Sequence, residues 1–306
     1  MSQRSFTLPA YAKINWRLHV LGRRPDGYHE LRTIFQTVTL HDRLTFASSD
    51  DDRLSLTCDE PAVPVDERNL VLRAAHALRE KYQVREGASL HLEKHIPVEA
   101  GLGGGSSDAA VALLGLAALW QVKTNREELT EIGAGLGADV PFFFTGGTAL
   151  GTGLGTEIEP LEDVRAEHLL IIKPGAKVST PEAYKALQRP ALTKEEGDII
   201  LSISRAEARI RDSLHEVLHN DFEQAIYALY PEIAEARQGL IEQGARGALL
   251  AGSGASVFGI FENEEALDRA RSSLEARPGW RIFSSAALGR GRYLGALGKC
   301  AALLQY

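Results

Sequence analysis

Cysteine is scarce in this 306-residue chain: only Cys58 and Cys300 occur, and no CxxC pair. That argues against a disulfide framework and a thiolate zinc centre, and for a reducing compartment. Long hydrophobic runs are missing too. The most apolar stretch, Ala109–Trp120, falls well short of the roughly 18 residues that a membrane-spanning helix needs. Met1–Trp16 holds no apolar core of signal-peptide length, because Lys13 and Asn15 interrupt it. Nor is there an excess of basic charge. With 34 Lys and Arg against 41 Asp and Glu the net charge is −7, which argues against a non-specific nucleic-acid binder. A 44% apolar and 25% charged composition excludes a disordered chain. The expectation is a soluble, cytoplasmic protein with neither a nucleic-acid nor a membrane partner, in which a small anionic ligand could still occupy a locally positive pocket.

What is present divides into a β-rich first half and a helix-rich second half. Ile14, Trp16, Leu18 and Val20 alternate with Lys13, Asn15, Arg17 and His19, which predicts a half-buried strand with Lys13 and Asn15 on one face. A turn at Arg24-Pro25-Asp26-Gly27 leads into a β-prone run over Leu31–Leu40, and Leu54–Cys58 reads as a further strand. Helical spacing follows over Asn69–Tyr82, then a short strand with Leu90 and Leu92, an apolar helix over Ser107–Trp120 and a second from Arg126 to about Ala134. Phe142–Leu150 and Glu157–Leu161 read as strands. Beyond about Val164 come a strand at Leu169–Lys173, helices near Pro181–Gln188, Ser204–His219 and Pro231–Gln243, strands at Ala248–Ala251 and Ser256–Phe261, a helix at Glu264–Glu275 and a strand at Trp280–Ser284. This order predicts an α+β protein of two domains, 1–163 and 164–306, the second a small α+β sandwich.

The strongest local signal is Pro97-Val98-Glu99-Ala100-Gly101-Leu102-Gly103-Gly104-Gly105-Ser106-Ser107-Asp108, which runs into the apolar helix. Glycines permit close backbone approach and positive φ, serines at the junction can cap the helix, and free N–H groups with the helix dipole attract an anion. Together they describe a phosphate cradle. It is not a Walker A loop, since no GxxxxGK[ST] occurs. It is not a dinucleotide fingerprint either, because Ser106 stands at the third glycine position. Gly133–Ala138 fits that fingerprint formally but follows a predicted helix, the wrong context. Gly137-Ala138-Asp139-Val140-Pro141 and Gly252-Ser253-Gly254-Ala255-Ser256 are two further glycine-rich elements.

Taken in order, these three elements resemble the motifs of the GHMP kinases. Gly101–Ala110, which reads GLGGGSSDAA, resembles one branch, whose acceptor is 4-diphosphocytidyl-2-C-methyl-D-erythritol. Ala10–Asn15, Arg24–Leu31, Gly137–Phe142, Lys173–Tyr184, Asn220–Glu223 and Gly252–Ser256 resemble that branch's other motifs, so the likeness spans the chain. It implies a two-domain GHMP kinase fold, with a β-rich N-terminal domain carrying the phosphate loop and a smaller α+β sandwich after it. It implies ATP and magnesium as cofactors, and transfer of phosphate to the 2-hydroxyl of that cytidyl alcohol, a step of non-mevalonate isoprenoid synthesis. By the same likeness Asp139 is the catalytic base and Lys13 its neighbour. Pro97–Ser107 hold the nucleotide. Tyr28, His29 and Tyr184 take the cytosine, while Asn15 and Thr180 hydrogen-bond the substrate. Ser107 is a candidate magnesium ligand, and Asp108 is expected to point away from the triphosphate and cap the helix. A monomer or weak homodimer is expected.

Other readings compete. Homoserine or a mevalonate-type alcohol could be the acceptor, but Tyr28-His29 and Gly103–Gly105 favour the cytidyl compound. A ligand sensor without turnover would not need both Lys13 and Asp139. His215-Glu216-Val217-Leu218-His219 satisfies HExxH, which on a helix would present two zinc ligands and a base. No Gly-x-x-His extension follows it, and Glu232 and Glu235 are merely candidates for a third ligand.

Overall fold

A computed structural model describes residues 5–187 and 218–304. Its layers run helices, sheet, sheet, helices. The first sheet has seven strands among the described residues: β1 (Ser5–Arg23), β2 (His29–Ser48), β3 (Leu54–Cys58), β4 (Ala88–Glu93), β5 (Thr148–Thr152), β6 (Glu157–Pro160) and β8 (His219–Asn220). Their main path is β3-β4-β2-β1-β8, with β5 and β6 branching from β2. The second sheet is antiparallel in the order β11-β7-β10-β9, built from β7 (Leu169–Lys173), β9 (Gly247–Leu250), β10 (Val257–Ile260) and β11 (Arg281–Ser285).

Strand alternation explains the layering. Leu169 and Ile171 of β7 join Ile14, Trp16, Leu249 and Phe258 in a core between the sheets, where Trp16 meets Phe258 edge-on at 5.6 Å. Leu170 and Ile172 point the other way, towards α4 (Thr180–Leu187), α5 (Glu223–Leu229), α6 (Pro231–Glu242) and α7 (Glu264–Leu274). The first sheet's other face is covered by α1 (Leu70–Tyr82), α2 (Gly104–Leu119) and α3 (Arg126–Leu136). The C-terminal segment, α8 (Arg290–Ala296) and the 3-10 turn Gly298–Leu304, returns to this first core through Tyr293, Leu297 and Leu304.

Several expectations change. The middle of β1 is not half-buried: Lys13, Ile14, Asn15 and Trp16 are all buried, because the second sheet covers Ile14 and Trp16 on one face while Phe35 and the glycines Gly103 and Gly252 lie against Lys13 on the other. Helix α2 starts at Gly104, inside the glycine run, rather than at Ser107. Phe142–Phe144 are not in a strand but in a 3-10 turn over Val140–Phe144, started by Pro141 and buried on every side; the strand begins only at Thr148. Gly133 and Gly135 lie within α3, so no strand-to-helix turn supports a dinucleotide fingerprint there. Most of the helix expected over Ser204–His219 lies outside the described residues. His219 itself is in β8, paired with Arg17, and so is not on a helix as an HExxH site requires. Among the described residues no helix is long and apolar enough to cross a membrane.

Candidate active site

A cavity of about 580 Å³ opens where the two halves meet. One end is made of backbone. The loop Pro97–Gly103 is held from both sides: Lys13 N donates to Leu102 O at 2.9 Å, and Ser256 N donates to Ala100 O at 3.1 Å. Gly101 sits at φ +73°, where an added Cβ would lie 2.1 Å from Ala251 O, so only glycine fits between loop and hairpin. Gly103, at φ +69°, is the N-cap of α2, and no side chain caps the helix. The expected serine caps are thus absent. The first-turn N–H groups have no intrahelical partner and lie beside the cavity with the positive end of the helix dipole.

Of the two serines, Ser106 lines the cavity, whereas Ser107 is wholly buried off its wall with no hydrogen-bond partner for its hydroxyl. Ser107, the candidate magnesium ligand, is thus not on the cavity wall. Asp108 does not cap the helix either. Its carboxylate binds Lys94 Nζ at 2.8 Å, and the same ammonium binds Asp42. Asp42 Oδ1 in turn accepts from His95 N and Ile96 N, at 2.6 and 2.8 Å. Burial pushes the Asp108 carboxyl up to about 7 against the pull of Lys94, and the Asp42 charge adds to the rise.

The other end is made of side chains from distant segments. Register shifts in the β1–β2 pairing flank Lys13 and Asn15, and such bulges re-aim side chains. Lys13 Nζ donates to Asn15 Oδ1 at 3.0 Å and lies 3.3 Å from Asp139 Oδ2. Lys13 is buried while Asp139 is about one-third exposed to the cavity. Gly103 and Gly252 leave room for the lysine: a Cβ on either would approach its chain to 2.8 and 3.1 Å. Asn220 fixes Gly252 by donating to its carbonyl at 2.7 Å.

Thr180 and Tyr184 enter from the second half on α4. Lys173, whose ammonium is pushed down by burial, donates to Pro174 O and Ala176 O and so ties the turn ahead of that helix. The Tyr184 hydroxyl is pushed up by burial and by the Asp139 charge. Its ring stacks on His29 at 4.9 Å and meets Phe222 edge-on at 5.0 Å. Burial also lowers the His29 imidazole, with Arg23 adding to the shift. Tyr28 is 64% exposed, which is unusual for so large a ring, and neither it nor His29 is on the cavity wall.

The cavity thus unites Lys13, Asn15, Asp139, Thr180, Tyr184 and Pro97–Ser106. Its wall also includes Val63, Pro64, Asn69 and Leu70, and Thr33, none of which sequence reasoning singled out. The first four carry no chemical motif; only Asn69, as the N-cap of α1, left a helix-start signal. His219 is engaged elsewhere: it bonds Asp221 at 2.6 Å and stacks on His19 at 4.4 Å. His215 and Glu216 lie outside the described residues.

Comparison with known proteins gives this cavity a family. Residues 69–147 match the family described as GHMP kinases N terminal domain, and residues 202–279 match GHMP kinases C terminal. A 4-diphosphocytidyl-2-C-methyl-D-erythritol kinase of Syntrophotalea carbinolica is 41% identical, over 92% of this chain and 97% of that protein. The chain belongs to the 4-diphosphocytidyl-2-C-methyl-D-erythritol kinase family of the GHMP kinases. A second such relative, from Prosthecochloris aestuarii, is 42% identical over 89% of this chain and 94% of its own. A crystal structure of 4-(cytidine 5'-diphospho)-2C-methyl-D-erythritol kinase superposes with a TM-score of 0.74 at 35% identity, covering 93% of this chain and all of that one. The homoserine kinase of Cytophaga hutchinsonii shares the fold, with a TM-score of 0.72 at 20% identity, covering 94% of this chain and 96% of that one. In this GHMP kinase the first matched segment contains the glycine loop Pro97–Ser107 and Asp139, while Lys13 precedes it.

Proposed function

We propose that this chain transfers the γ-phosphoryl group of ATP to the 2-hydroxyl of 4-diphosphocytidyl-2-C-methyl-D-erythritol, in non-mevalonate isoprenoid synthesis. The observation that carries the mechanism is the Lys13–Asp139 pair, 3.3 Å apart beside an uncapped helix N-terminus. Phosphoryl transfer asks a protein mainly to align the acceptor and to offset charge on the moving group. The triphosphate lies along Pro97–Ser106, its oxygens on the first-turn N–H groups of α2. The apolar slot at Val63, Pro64 and Leu70, with Asn69 for hydrogen bonding, suits the purine. Asp139 orients the acceptor hydroxyl and takes its proton as the new P–O bond forms. Lys13, 3.3 Å from Asp139, orients its carboxylate and stabilises the transferring phosphoryl.

Magnesium suits the site as an ion carried on the nucleotide: the cavity wall offers the Ser106 hydroxyl as a hard oxygen donor, and the ion would offset phosphate charge. At the acceptor end Asn15 and Thr180 hydrogen-bond the substrate. The cytosine takes the place of the His29 ring against Tyr184, with the exposed Tyr28 closing over its other face and His29 turned to its edge. The reaction runs in the cytoplasm, on a monomer or weak homodimer.

The reading is tested by incubating the protein with ATP, magnesium and the cytidyl alcohol and following phosphorus NMR. ADP and one new phosphomonoester should form one for one. ADP formed without that ester, or an ester at another hydroxyl, would overturn it.

A further inference from the structure

The polar groups behind Lys13 form a chain whose hydrogen-bond direction is fixed at every step. Thr33 Oγ1 lies 2.8 Å from Arg17 O, and a carbonyl can only accept, so the hydroxyl proton is spent there. Thr33 Oγ1 must therefore accept in its second contact, which is Asn15 Nδ2 at 2.6 Å. That orientation turns Asn15 Oδ1 towards Lys13, whose ammonium donates to it at 3.0 Å. Lys13 is thereby held 3.3 Å from Asp139 with its remaining protons directed into the cavity. Thr33, Asn15 and Lys13 are all buried, so solvent does not compete for these bonds, and a reversed amide would set NH₂ against NH₃⁺. The β1–β2 register shift between Asn15 and Arg17 lies at the start of this chain.

We propose that Thr33 is a positioning residue for phosphoryl transfer: its hydroxyl sets the Asn15 amide, and through it the Lys13 ammonium that faces Asp139 and the moving phosphoryl. The inference rests on the catalytic reading of Lys13 and Asp139 given above. It also explains why Asn15 keeps one N–H for substrate, since Thr33 takes the other and Oδ1 is occupied by Lys13. Thr33 carries no ligand-binding motif and is invisible as a functional residue until this geometry is known.

Steady-state kinetics of Thr33→Val and Thr33→Ser test it. Valine keeps the shape but removes both hydrogen-bonding roles, freeing the Asn15 amide to turn. In Thr33→Val kcat should fall about ten-fold or more, with KM for ATP within about three-fold of wild type. Thr33→Ser should recover most of the lost rate. Thr33→Cys, a weaker donor and acceptor of similar size, should fall between them and serves if the valine variant does not fold. Wild-type kcat in a folded Thr33→Val or Thr33→Cys protein would overturn the proposal. So would a serine variant as slow as the valine one, since the methyl group and not the hydroxyl would then matter. Asp139→Asn runs alongside: full turnover there would instead remove the catalytic reading on which the relay depends.

Discussion

The two ends of the cavity are built on opposite plans. One end is a continuous stretch, Pro97–Ser106, which offers backbone N–H groups and has four glycines among its ten residues. The other end gathers Lys13, Asn15, Thr33, Asp139, Thr180 and Tyr184 from separate parts of both halves. A backbone site must be encoded where it is used, because only local sequence sets φ and leaves room for close approach. A side-chain site needs only that the fold bring its members together, and its members can be hundreds of residues apart.

The sharpest break between the two plans is Asp139→Asn. The change keeps the shape but removes the base and the charge facing Lys13, so kcat should fall about 100-fold or more. KM for ATP should stay near wild type, because the phosphate cradle is untouched; steady-state kinetics with both substrates varied checks the pair of outcomes. A change at the other end should act differently. Gly101→Ala puts a methyl group against Ala251 O at a positive φ, which should cost about 2–3 kcal/mol of stability in urea unfolding. Whatever folds should bind ATP more weakly, as nucleotide titration would report. Tyr184→Ala removes the ring that stacks on His29 and packs against Phe222, so KM for the cytidyl alcohol should rise about ten-fold with KM for ATP unchanged.

The smallest effect lies at Asp108, which lines the cavity beside Lys94. Asp108 holds its proton up to about pH 7 in the fold, against 3.8 ordinarily. Between those values the folded protein binds the extra proton, so this residue's contribution to stability falls as pH rises through that window and is lost above it. Wild-type Tm should therefore decline from pH 5 to 8 more steeply than that of Asp108→Asn, by about 2–3 °C. Parallel curves would remove Asp108 as the titrating group.

This contrast also explains what could be read before folding. The glycine loop was legible as part of a site because its glycines and the following apolar helix are adjacent in sequence. Lys13 and Asn15 shared a face by strand alternation, and family likeness paired Lys13 with Asp139. Thr33 was not legible, since a threonine in a β-rich run has an ordinary structural reason to be there, and its function comes from a carbonyl 16 residues away. Val63, Pro64 and Leu70 were missed for a similar reason: apolar residues beside a helix start look like core. The start of α2 was placed three residues late because glycine is read as a helix breaker, yet here the first-turn glycines bring the helix backbone up to the cavity. The aromatic run Phe142–Phe144 read as a strand because burial on all sides erases the periodicity that separates a strand from a tight helical turn.

The most direct test of the account is ADP release under ATP and magnesium with three acceptors supplied separately: 4-diphosphocytidyl-2-C-methyl-D-erythritol, homoserine and mevalonate. The account predicts rapid release with the cytidyl alcohol and background release with the other two, because only the first has a base for Tyr184, His29 and Tyr28 to hold. Equal or faster release with homoserine or mevalonate, or none with any acceptor from folded protein, would contradict it.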